Sequence, residues 1–563
     1  MLATAATPPH AIAGEASSVL RGNHPDEAAE LAQEGNAPAS RQLTMHLMLA
    51  LNHRGELERL LLEQQNPSSP EYRRWLRPDE FTRRFGPTAA QIEKVSRWLR
   101  SSGFTVESAS AATRTITFTG KVAQAEQAFG VKIAATADGA TFANTTDPAI
   151  PADLAPMIDS IQGLDNTLHA APQMHRRRSD APVSSAGAPN AIVNGQGPAF
   201  GPADQYTFYN QTPLLDSGID GSGADCIALV EDSNFDTPSL AAFNSQFELP
   251  AFNGGNFART FPTTDPGVNG DAIEAIVDIN YAHATAPGTP IKAYIGNQSN
   301  STTALGILDA LVKAVKDNSC GAISISFGVC GGSKKFYRAL DGVFAQANSQ
   351  GQSVFVASGD TGSAGLVFNK RTHACDPSAK PSVTEIAASP HVSSIGGTQF
   401  SANFDGSGND VGFVAEGVWN DSAGASGGGK SKVFKKPAFQ QGVTPKKDKK
   451  RDIPDISIAA SPDTPGYFFG ESGAVNCCVG GTSVSTPIWA AIAQLIAQSK
   501  SAGRVGNINS RLYQLGASGS AAIRDVTAGN NHFGSAAGFN AGPGFDLATG
   551  WGTPDIAAFV ENF

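Results

Sequence analysis

Residues 480–487 read GGTSVSTP and lead into IWAAIAQLIAQ, an apolar stretch with helical spacing. Two glycines and an early proline before such a stretch are typical of a tight turn at a helix N-terminus. Ser483 would then lie on a sharp turn, with backbone N–H groups pointing past its hydroxyl. Because a serine hydroxyl is a weak nucleophile until a base removes its proton, we look for a base elsewhere in the chain.

Two carboxyl groups on one apolar helix are the best candidates for that base. GDAIEAIVDINYAHATAPG (270–288) carries Glu274 and Asp278 four residues apart, which predicts that both lie on one helix face. Two ionised carboxylates at this spacing repel each other by roughly 0.2–0.5 kcal/mol on an exposed helix, and by more in a cleft. Sharing one proton relieves that repulsion. An isolated pair of this kind more often marks a solvated acidic face, but the branched apolar residues around it predict a buried helix.

Asp360 is the third acidic candidate. It follows a buried strand in SVFVASGDTGSAG (353–365), where it stands between two glycines. An aspartate in this position is often only a turn residue. It can also be an acid that keeps its proton and donates a hydrogen bond to an oxyanion.

From about residue 206 to the end, short apolar runs alternate with helical stretches. Predicted strands lie at 226–232, 291–296, 322–328 and 352–359, and predicted helices at 271–284, 302–317 and 333–348. The alternation predicts an α/β fold with a parallel sheet and helices on both faces, whose ligands bind at the carboxyl ends of the strands. Glu231, Phe327 and Asp360 fall at those ends.

The first part of the chain predicts a second, smaller domain. Residues 41–165 contain predicted strands at 43–51 and 113–120 and amphipathic helices at 55–64 and 89–104, an order that suits a ferredoxin-like α+β domain. We therefore expect residues 1–165 to form one domain, ordered from about residue 41, and residues 206–563 to form another.

Residues 166–205 have the composition of a flexible linker. They are rich in Pro, Ala, Ser and Gly and carry a basic group at Arg176, Arg177 and Arg178. Exposed polar linkers are where proteases cut, so we expect this segment to be processed; an inert spacer is the alternative.

Composition excludes some partners. The net charge of −10 argues against nucleic acid, and no apolar run approaches the ~18 residues of a membrane span. The 41 lysines and arginines together with ten histidines equal the 51 acidic residues, so the chain becomes cationic once its carboxylates protonate. The first residues lack the basic region and apolar core of a signal peptide.

Six cysteines are present, at positions 226, 320, 330, 375, 477 and 478, without the C-x-x-C spacing of a metal site. Disulfides and buried free thiols are both compatible with this pattern. We favour a bond between Cys330 and Cys375, because both follow apolar runs that should end on one edge of a sheet. The adjacent Cys477 and Cys478 should not bond to each other, because of strain.

The motifs occur together in one order. The Glu-x-x-x-Asp helix, SGDTG and GGTSVSTP resemble the sedolisin (serine-carboxyl peptidase) family. NPSSPEYRRWLRPDEFTRRFGP (66–87) and TFTGKVAQAEQAFGV are similar to the family's activation propeptide, and FYNQTPLLDSGIDGSGADCIALVE, GASGGGKS and RDIPDIS are similar to its catalytic domain. The resemblance spans nearly the whole chain, and the joint order of the motifs is specific.

The resemblance implies a subtilisin-like catalytic fold with a glutamate base. Ser483 would be the nucleophile and Glu274 the general base, with Asp278 orienting Glu274 and Asp360 stabilising the oxyanion. Glu231 would extend this hydrogen-bond chain. Phe327 departs from the family's pattern, because it stands where a tryptophan would donate an indole N–H to Glu231.

We therefore expect a secreted, monomeric endopeptidase made as a zymogen. Its substrates would be proteins or peptides, and its own propeptide would act as an intramolecular inhibitor. A glutamate with a pKa near 4.3 still accepts a proton at pH 3–5, whereas a histidine base would already be protonated. Activity should fall towards neutral pH as Asp360 ionises, and low pH should trigger release of the propeptide.

The resemblance also implies one structural calcium ion near the C-terminus. DVTAGNN and AGPGFD are similar to the family's calcium loop, so the side chains of Asp525 and Asp546 and the carbonyls of Val526, Gly542 and Gly544 would be ligands. Hard oxygen donors on a glycine-rich loop suit Ca²⁺. Without the resemblance, two turn aspartates would be the simpler interpretation.

Two other functions stay open. The first is a histidine-based peptidase of the subtilisin type, but none of His283, His373, His391 and His532 is followed by glycine as such a base would be. The second is a catalytically impaired family member that acts as a calcium-dependent binding protein. The lysine-rich run from Lys435 to Arg451 predicts a solvated surface loop, with substrate attraction as the less favoured role.

Overall fold

The structure is a computed structural model that describes residues 16–177, 199–301, 305–445 and 448–563. The described residues form two compact units. The smaller unit comprises the described part of Met1–Leu51 together with Pro87–Asn166 and Ser333–Phe336, and the larger comprises Asn52–Gly86, Thr167–Gly332 and Tyr337–Phe563. Arg178 and most of the predicted linker lie outside the described residues.

Among the described residues, the helices are α1 Ala28–Leu31, α2 Arg54–Gln64, α3 Pro78–Phe85, α4 Ala89–Ser101, α5 Val122–Phe129, α6 Pro202–Phe208, α7 Thr212–Asp216, α8 Thr237–Gln246, α9 Ala272–Thr285, α10 Gly306–Asp317, α11 Lys334–Ser349, α12 Thr482–Ser499, α13 Asn509–Ala517 and α14 Ile556–Asn562.

The strands of the smaller unit are β1 Ser17–Val19, β2 Gln42–Leu49, β3 Thr105–Ser110, β4 Thr115–Lys121, β5 Ile133–Ala135, β6 Phe142–Asn144, β7 Ala149–Pro151 and β8 Ile158–Gln162. Those of the larger unit are β9 His169–Pro172, β10 His175–Arg176, β11 Cys226–Glu231, β12 Phe257–Thr260, β13 Ile291–Ile295, β14 Cys320–Ile325, β15 Phe327–Cys330, β16 Ser353–Ala357, β17 Leu366–Asn369, β18 Ala374–Pro377, β19 Ser393–Gln399, β20 Gly417–Val418, β21 Gly429–Lys435, β22 Lys450–Ile453, β23 Ile456–Ala459, β24 Tyr467–Glu471, β25 Ala474–Gly480, β26 Ile523–Arg524 and β27 Thr553–Pro554.

The smaller unit is built on a four-stranded antiparallel sheet in the order β3-β4-β2-β8. Its elements β2, α4, β3, β4, α5 and β8 follow one another as β-α-β-β-α-β, which is the ferredoxin-like order. Phe104, Phe118 and Phe129 pack together in its core. The expectation of order from about residue 41 was wrong, because β1 already pairs with β7 from Ser17 onwards.

The larger unit contains the predicted parallel sheet. Its strands lie in the order β12-β13-β11-β14-β16-β19, all parallel, and β23 adds a further parallel pairing to β19. Only the short β20 runs antiparallel to β19 among the described strands of this sheet. Strand β11 is buried from Ile227 to Glu231, as expected for a strand of a parallel sheet covered by helices.

Helices α9 and α12 form the centre of the larger unit. They pack against each other and against the parallel sheet, and their side chains are buried almost throughout, from Glu274 to Thr285 and from Thr482 to Ala497. Helices that are buried on every face, as these two are, lie in the interior of a large domain. The packing of these two helices brings Glu274 on α9 towards Ser483 on α12.

The sequence AISISFG does not form one strand, contrary to our prediction of a strand at 322–328. Strand β14 ends at Ile325, and β15 begins at Phe327 and leaves the parallel sheet to pair antiparallel with β9. The break falls at Ser326, whose hydroxyl is turned towards Asp278 on α9. Periodicity cannot detect such a break, because all the residues on both sides of it are buried.

Three cysteine pairs are present. Cys330 is bonded to Cys375, as expected from the sequence, and Cys226 is bonded to Cys320 across the neighbouring strands β11 and β14. The sulfur atoms of Cys477 and Cys478 are in direct contact. The expectation that these two would stay apart is therefore not met; both side chains are buried in β25.

The run from Lys435 to Arg451 is not a fully solvated loop. Arg451 is completely buried and pairs through both terminal nitrogens with Asp455. Lys436 is also largely covered, with its Nζ atom 2.7 Å from Asp452 Oδ2. The two cations are buried because each pairs with a buried carboxylate: Lys436 with Asp452 in β22, and Arg451 with Asp455 in the turn after β22. The lysine-rich composition of the run does not reveal these pairs. Lys446 and Lys447 lie outside the described residues.

The Arg451–Asp455 pair predicts a large loss of stability on truncation. Arg451→Ala would leave the carboxylate of Asp455 buried without its cation, which typically costs about 3–5 kcal/mol. Urea unfolding in a Ser483→Ala background, chosen to prevent self-cleavage, measures this free energy. Arg59→Ala, which removes the exposed pair of Arg59 with Glu63, is the control and should change it by less than about 1 kcal/mol. Similar losses for both variants would contradict the prediction.

Candidate active site

Ser483 lies in the first turn of α12, where it follows Thr482. The turn before it depends on Gly481, which has a φ of +126° and whose missing side chain would collide with the carbonyl oxygen of Gln173. The helix begins before Pro487 rather than at it. Because Pro487 has no N–H, the carbonyl of Ser483 loses its helical partner, and Ser326 Oγ lies 3.3 Å from it instead.

Glu274 is the acidic neighbour of the Ser483 hydroxyl. Both side chains are fully buried, and neither Ser483 Oγ nor either carboxyl oxygen of Glu274 has a hydrogen-bond partner among the described residues, although Ser483 lies close enough to affect the ionisation of Glu274. Burial raises the pKa of Glu274 well above its usual range, and the nearby charge of Asp278 raises it further. The nearby Ser483 hydroxyl opposes this rise by favouring the ionised form.

The cluster of acids continues from Glu274 to its neighbour Asp278 and from there to Glu231 at the end of β11. Burial raises the pKa of Asp278 to about 8, although bonds from Ser326, Glu274 and Glu231 oppose the rise. Burial and the charge of Asp278 also raise the pKa of Glu231. All three carboxyl groups are completely buried, and they can bond to one another only where a proton lies between each pair.

Ser326 is a member of this cluster that the sequence did not reveal. Its Oγ atom lies 2.9 and 2.7 Å from the two carboxylate oxygens of Asp278. Ser326 directly precedes Phe327. The break between β14 and β15 at Ser326 turns the Ser326 hydroxyl inward. Phe327 itself is fully buried in β15.

Asp360 lies on the other side of Ser483, after β16. The N–H and the hydroxyl of Thr482 donate to its Oδ1 atom at 2.8 and 2.7 Å. Its Oδ2 atom lies next to Gly481, as does the carbonyl oxygen of Gln173. Burial raises the pKa of Asp360 well above its usual range, and Asp421 adds to the effect, while the bonds from Thr482 oppose it. Asp360 is therefore favoured in its protonated form.

The segment from His169 to Arg177 passes through this site, although composition had indicated an exposed linker. Strand β9 pairs antiparallel with β15, and β10 pairs antiparallel with β25, which leads to the Ser483 turn. Between them, the backbone N–H of Ser483 donates to the carbonyl oxygen of Gln173 at 2.9 Å, and the N–H of Gln173 donates to the carbonyl of Ser326 at 3.0 Å. No local pattern in the sequence marks these pairings.

The histidines considered as bases for Ser483 have other contacts. His283 bonds to the carbonyl of Pro250, His391 is 2.8 Å from Asp341, and the ring of His532 accepts from the N–H of Gly538. His373 follows β17 and stacks edge-on against Phe368. Among the described histidines, His175 in β10 contacts an acid of the site: its Nε2 atom lies 3.4 Å from Asp360 Oδ2. Burial lowers the pKa of His175.

The candidate calcium ligands lie on two adjoining loops. The N–H of Gly544 donates to Asp525 Oδ2 at 2.8 Å, and Asp546 accepts from the N–H groups of Gly542, Ala548 and Thr549. Burial raises the pKa of Asp546, and the hydrogen bonds that oppose this come from uncharged groups. A cation would offset that burial, so the donor set fits a calcium ion. Within the described ranges no three or more His, Cys, Asp or Glu side chains cluster as metal ligands, so carbonyl oxygens would have to complete the shell.

Comparisons with known proteins identify the family of the chain. Residues 29–167 match the family described as "Pro-kumamolisin, activation domain". The chain is 30% identical to kumamolisin of Bacillus sp. (strain MN-32) over 96% of this chain and 95% of that protein. It is 28% identical to sedolisin of Pseudomonas sp. (strain 101), over 91% of this chain and 86% of that protein.

A similar solved structure is that of Pseudomonas sedolisin, a serine-carboxyl proteinase complexed with two molecules of pseudo-iodotyrostatin. The alignment covers 64% of this chain and 96% of the sedolisin chain, with a TM-score of 0.53 and 28% sequence identity. The class is therefore that of the serine-carboxyl peptidases, and an activation domain precedes the peptidase. The chain belongs to the sedolisin family.

The buried carboxyl groups predict that stability falls as the pH rises. Burial raises the pKa of Asp278 from its ordinary value of 3.8 to about 8 in the folded protein. Between these two pH values, the folded state keeps a proton that the unfolded chain has released. The free energy of unfolding should decline over this window, by at most about 1.4 kcal/mol per pH unit and proton. Asp278→Asn should make that decline shallower.

Urea unfolding between pH 4 and pH 8, again in a Ser483→Ala background, measures this slope. Asp216→Asn, which changes an exposed aspartate of α7, is the matched control and should keep the slope of the parent. A slope that Asp278→Asn leaves unchanged would show that the proton is not held at this cluster.

Proposed function

We propose that the chain is an acid-acting serine-carboxyl endopeptidase, made as a zymogen and activated by its own cleavage at low pH. The single observation that carries the proposal is the burial of the Ser483 hydroxyl beside Glu274, which in turn has Asp278 as its neighbour inside the protein. This is the arrangement of a nucleophile, its base and a group that orients the base.

In the proposed reaction, Ser483 Oγ attacks the carbonyl carbon of a peptide bond while its proton moves to Glu274. The electron pair of the carbonyl moves to its oxygen, which becomes an oxyanion. Glu274 then gives the proton to the leaving amine, the C–N bond breaks and an acyl-enzyme remains. A water molecule then attacks the acyl-enzyme in the same way: Glu274 takes its proton and returns it to Ser483 Oγ, and the peptide leaves as a carboxylic acid. Because burial raises the pKa of both acids, Glu274 can accept the proton of Ser483 only while the proton shared by the pair is on Asp278, which donates it towards Glu274 and holds Glu274 in place.

Two donors are available for the oxyanion. The backbone N–H of Ser483 already holds the carbonyl oxygen of Gln173, and a protonated Asp360 would direct its Oδ2–H towards the same place. The bonds from Thr482 to Oδ1 leave Oδ2 as the oxygen that carries the proton. A preorganised donor of this kind is typically worth about 10²–10³-fold in kcat.

The position of Gln173 also suggests where the chain cuts itself. Its carbonyl oxygen is bound by Ser483, and the pairings of β9 and β10 hold the chain extended on both sides. We therefore assign the first cleavage to the Gln173–Met174 bond. The activation domain would then inhibit the peptidase until the bond is cut.

Secretion and a bound calcium ion belong to the same proposal. Disulfides such as Cys330–Cys375 and Cys226–Cys320 persist in oxidising compartments, which favours an extracellular enzyme. No helix in the described part of the chain is both long and apolar enough to span a bilayer. Asp525 and Asp546, with the carbonyls of Val526, Gly542 and Gly544, would hold the calcium ion, whose role would be structural.

Incubation of the full chain between pH 3 and pH 8 tests the peptidase proposal. The wild type should yield a fragment that begins at Met174 and should hydrolyse peptides best in the acidic part of the range. Ser483→Ala should yield neither. Glu274→Gln, which cannot take the proton, should lower kcat by about 10²–10⁴-fold.

Ser485→Ala is the matched control for the nucleophile, since Ser485 lies in the same helix and its hydroxyl is near the carbonyls of Ile458 and Ala459. It should retain activity. Intact mass and N-terminal sequencing report the cut. If the wild type stays intact and inactive at every pH, the proposal fails, and a calcium-dependent binding protein becomes the better interpretation.

Calcium removal is a separate test. Excess EDTA should lower the Tm of the wild type, and added Ca²⁺ should restore it, because an ion at 100 times its Kd stabilises the folded state by about 2.7 kcal/mol. Asp525→Asn should lower the initial Tm and weaken the response. A wild-type Tm that does not change with EDTA would exclude a structural ion at these loops.

A further inference from the structure

The residues that follow Gln173 contact a distinct surface of the larger unit, formed by β24, β25 and the turn before them. His175 lies opposite Gly480 and Arg176 opposite Val479, and the N–H of Arg177 donates to the carbonyl of Cys478 at 2.8 Å. These backbone bonds accept any extended chain, whatever its sequence. Selectivity on this side of the cut bond must therefore come from the side chains.

Arg176 has the most specific side-chain contact of the segment. Its two terminal nitrogens donate to the two carboxylate oxygens of Glu471 at 2.8 and 3.0 Å, which is the paired geometry that only arginine can form. The guanidinium also lies over the ring of Phe469, 5.1 Å from its centre. Asn476 Nδ2 donates to Glu471 Oε2 at 3.2 Å and so helps to hold the carboxylate in position.

A second acidic residue receives the next arginine. Arg177 Nε lies 3.2 Å from Asp463 Oδ1, and the backbone of Asp463 is held in turn by the hydroxyl of Ser461. Two successive arginines therefore meet two separate carboxylates, each on a different element. Both pairs are partly exposed, so each should contribute modestly.

We propose that Glu471, assisted by Asp463, is a specificity determinant that selects peptides with arginine at the third and fourth positions after the cut bond. The inference rests on the proposed function, because it takes Gln173–Met174 as the bond that Ser483 attacks. The linker would then show the enzyme's preferred substrate class: an extended chain with basic residues on the C-terminal side of the cleavage site.

Four peptides test the proposal on the acid-activated full chain at pH 5. One copies residues 170–177, AAPQMHRR, between a fluorophore and a quencher, and three replace only the residue that corresponds to Arg176, by Lys, Ala or Glu. The expected order of kcat/KM is Arg, Lys, Ala, Glu, with about fivefold between Arg and Ala. Lysine should fall between them because it cannot form the paired contact.

A charge reversal in the enzyme separates recognition from catalysis. Glu471→Arg should prefer the Glu peptide to the Arg peptide. Glu561→Arg, which reverses an exposed charge of α14, is the matched control and should keep the wild-type order. The Tm of each variant confirms that it is folded.

The outcomes distinguish this inference from the function on which it rests. If the wild type cleaves all four peptides equally, or if Glu471→Arg keeps the wild-type order, then Glu471 is no determinant and the peptidase proposal still stands. If the activated wild type cleaves none of them, the proposed function fails and this inference fails with it.

Discussion

The site depends on carboxyl groups that are buried together. Glu231, Glu274 and Asp278 are completely enclosed, Asp360 is nearly so, and burial raises the pKa of each of them. An ionised carboxylate inside a protein is costly unless a partner compensates it. Shared protons are the compensation available here, because each acid in the chain from Glu231 to Glu274 is a neighbour of the next.

This constraint explains several features of the surrounding fold. Two buried helices are needed to keep water from the acids, and the break in the strand at Ser326 turns a hydroxyl towards Asp278. Pro487 has a similar effect, since it frees the carbonyl of Ser483 for a contact with the same hydroxyl. Ser326 has one hydrogen and three acceptors in reach, so its orientation depends on which oxygen of the cluster carries a proton.

Much of the fold could be predicted from the sequence. The parallel strands, the helices α9, α10 and α11 and the acids of α9 followed from periodicity and spacing, which are local properties. The pairing of β9 and β10 with the peptidase could not be predicted, because composition describes a linker and says nothing of what it contacts. Ser326 and the buried Arg451 could not be predicted for a related reason. Ser326 owes its position to Asp278, which is distant in the sequence, and the lysine-rich run before Arg451 conceals its pairing with Asp455.

The carbonyl of Gln173 already lies on the N–H of Ser483 before any cut is made. A reacting group and its target in one folded chain meet at an effective concentration that no dissolved peptide can reach. The first cut would then be a unimolecular event, so its half-life would be the same in a dilute secretion as in a concentrated one. Dilution would slow only the later encounters with foreign proteins, which leaves acidity, and not crowding, to set the moment of maturation.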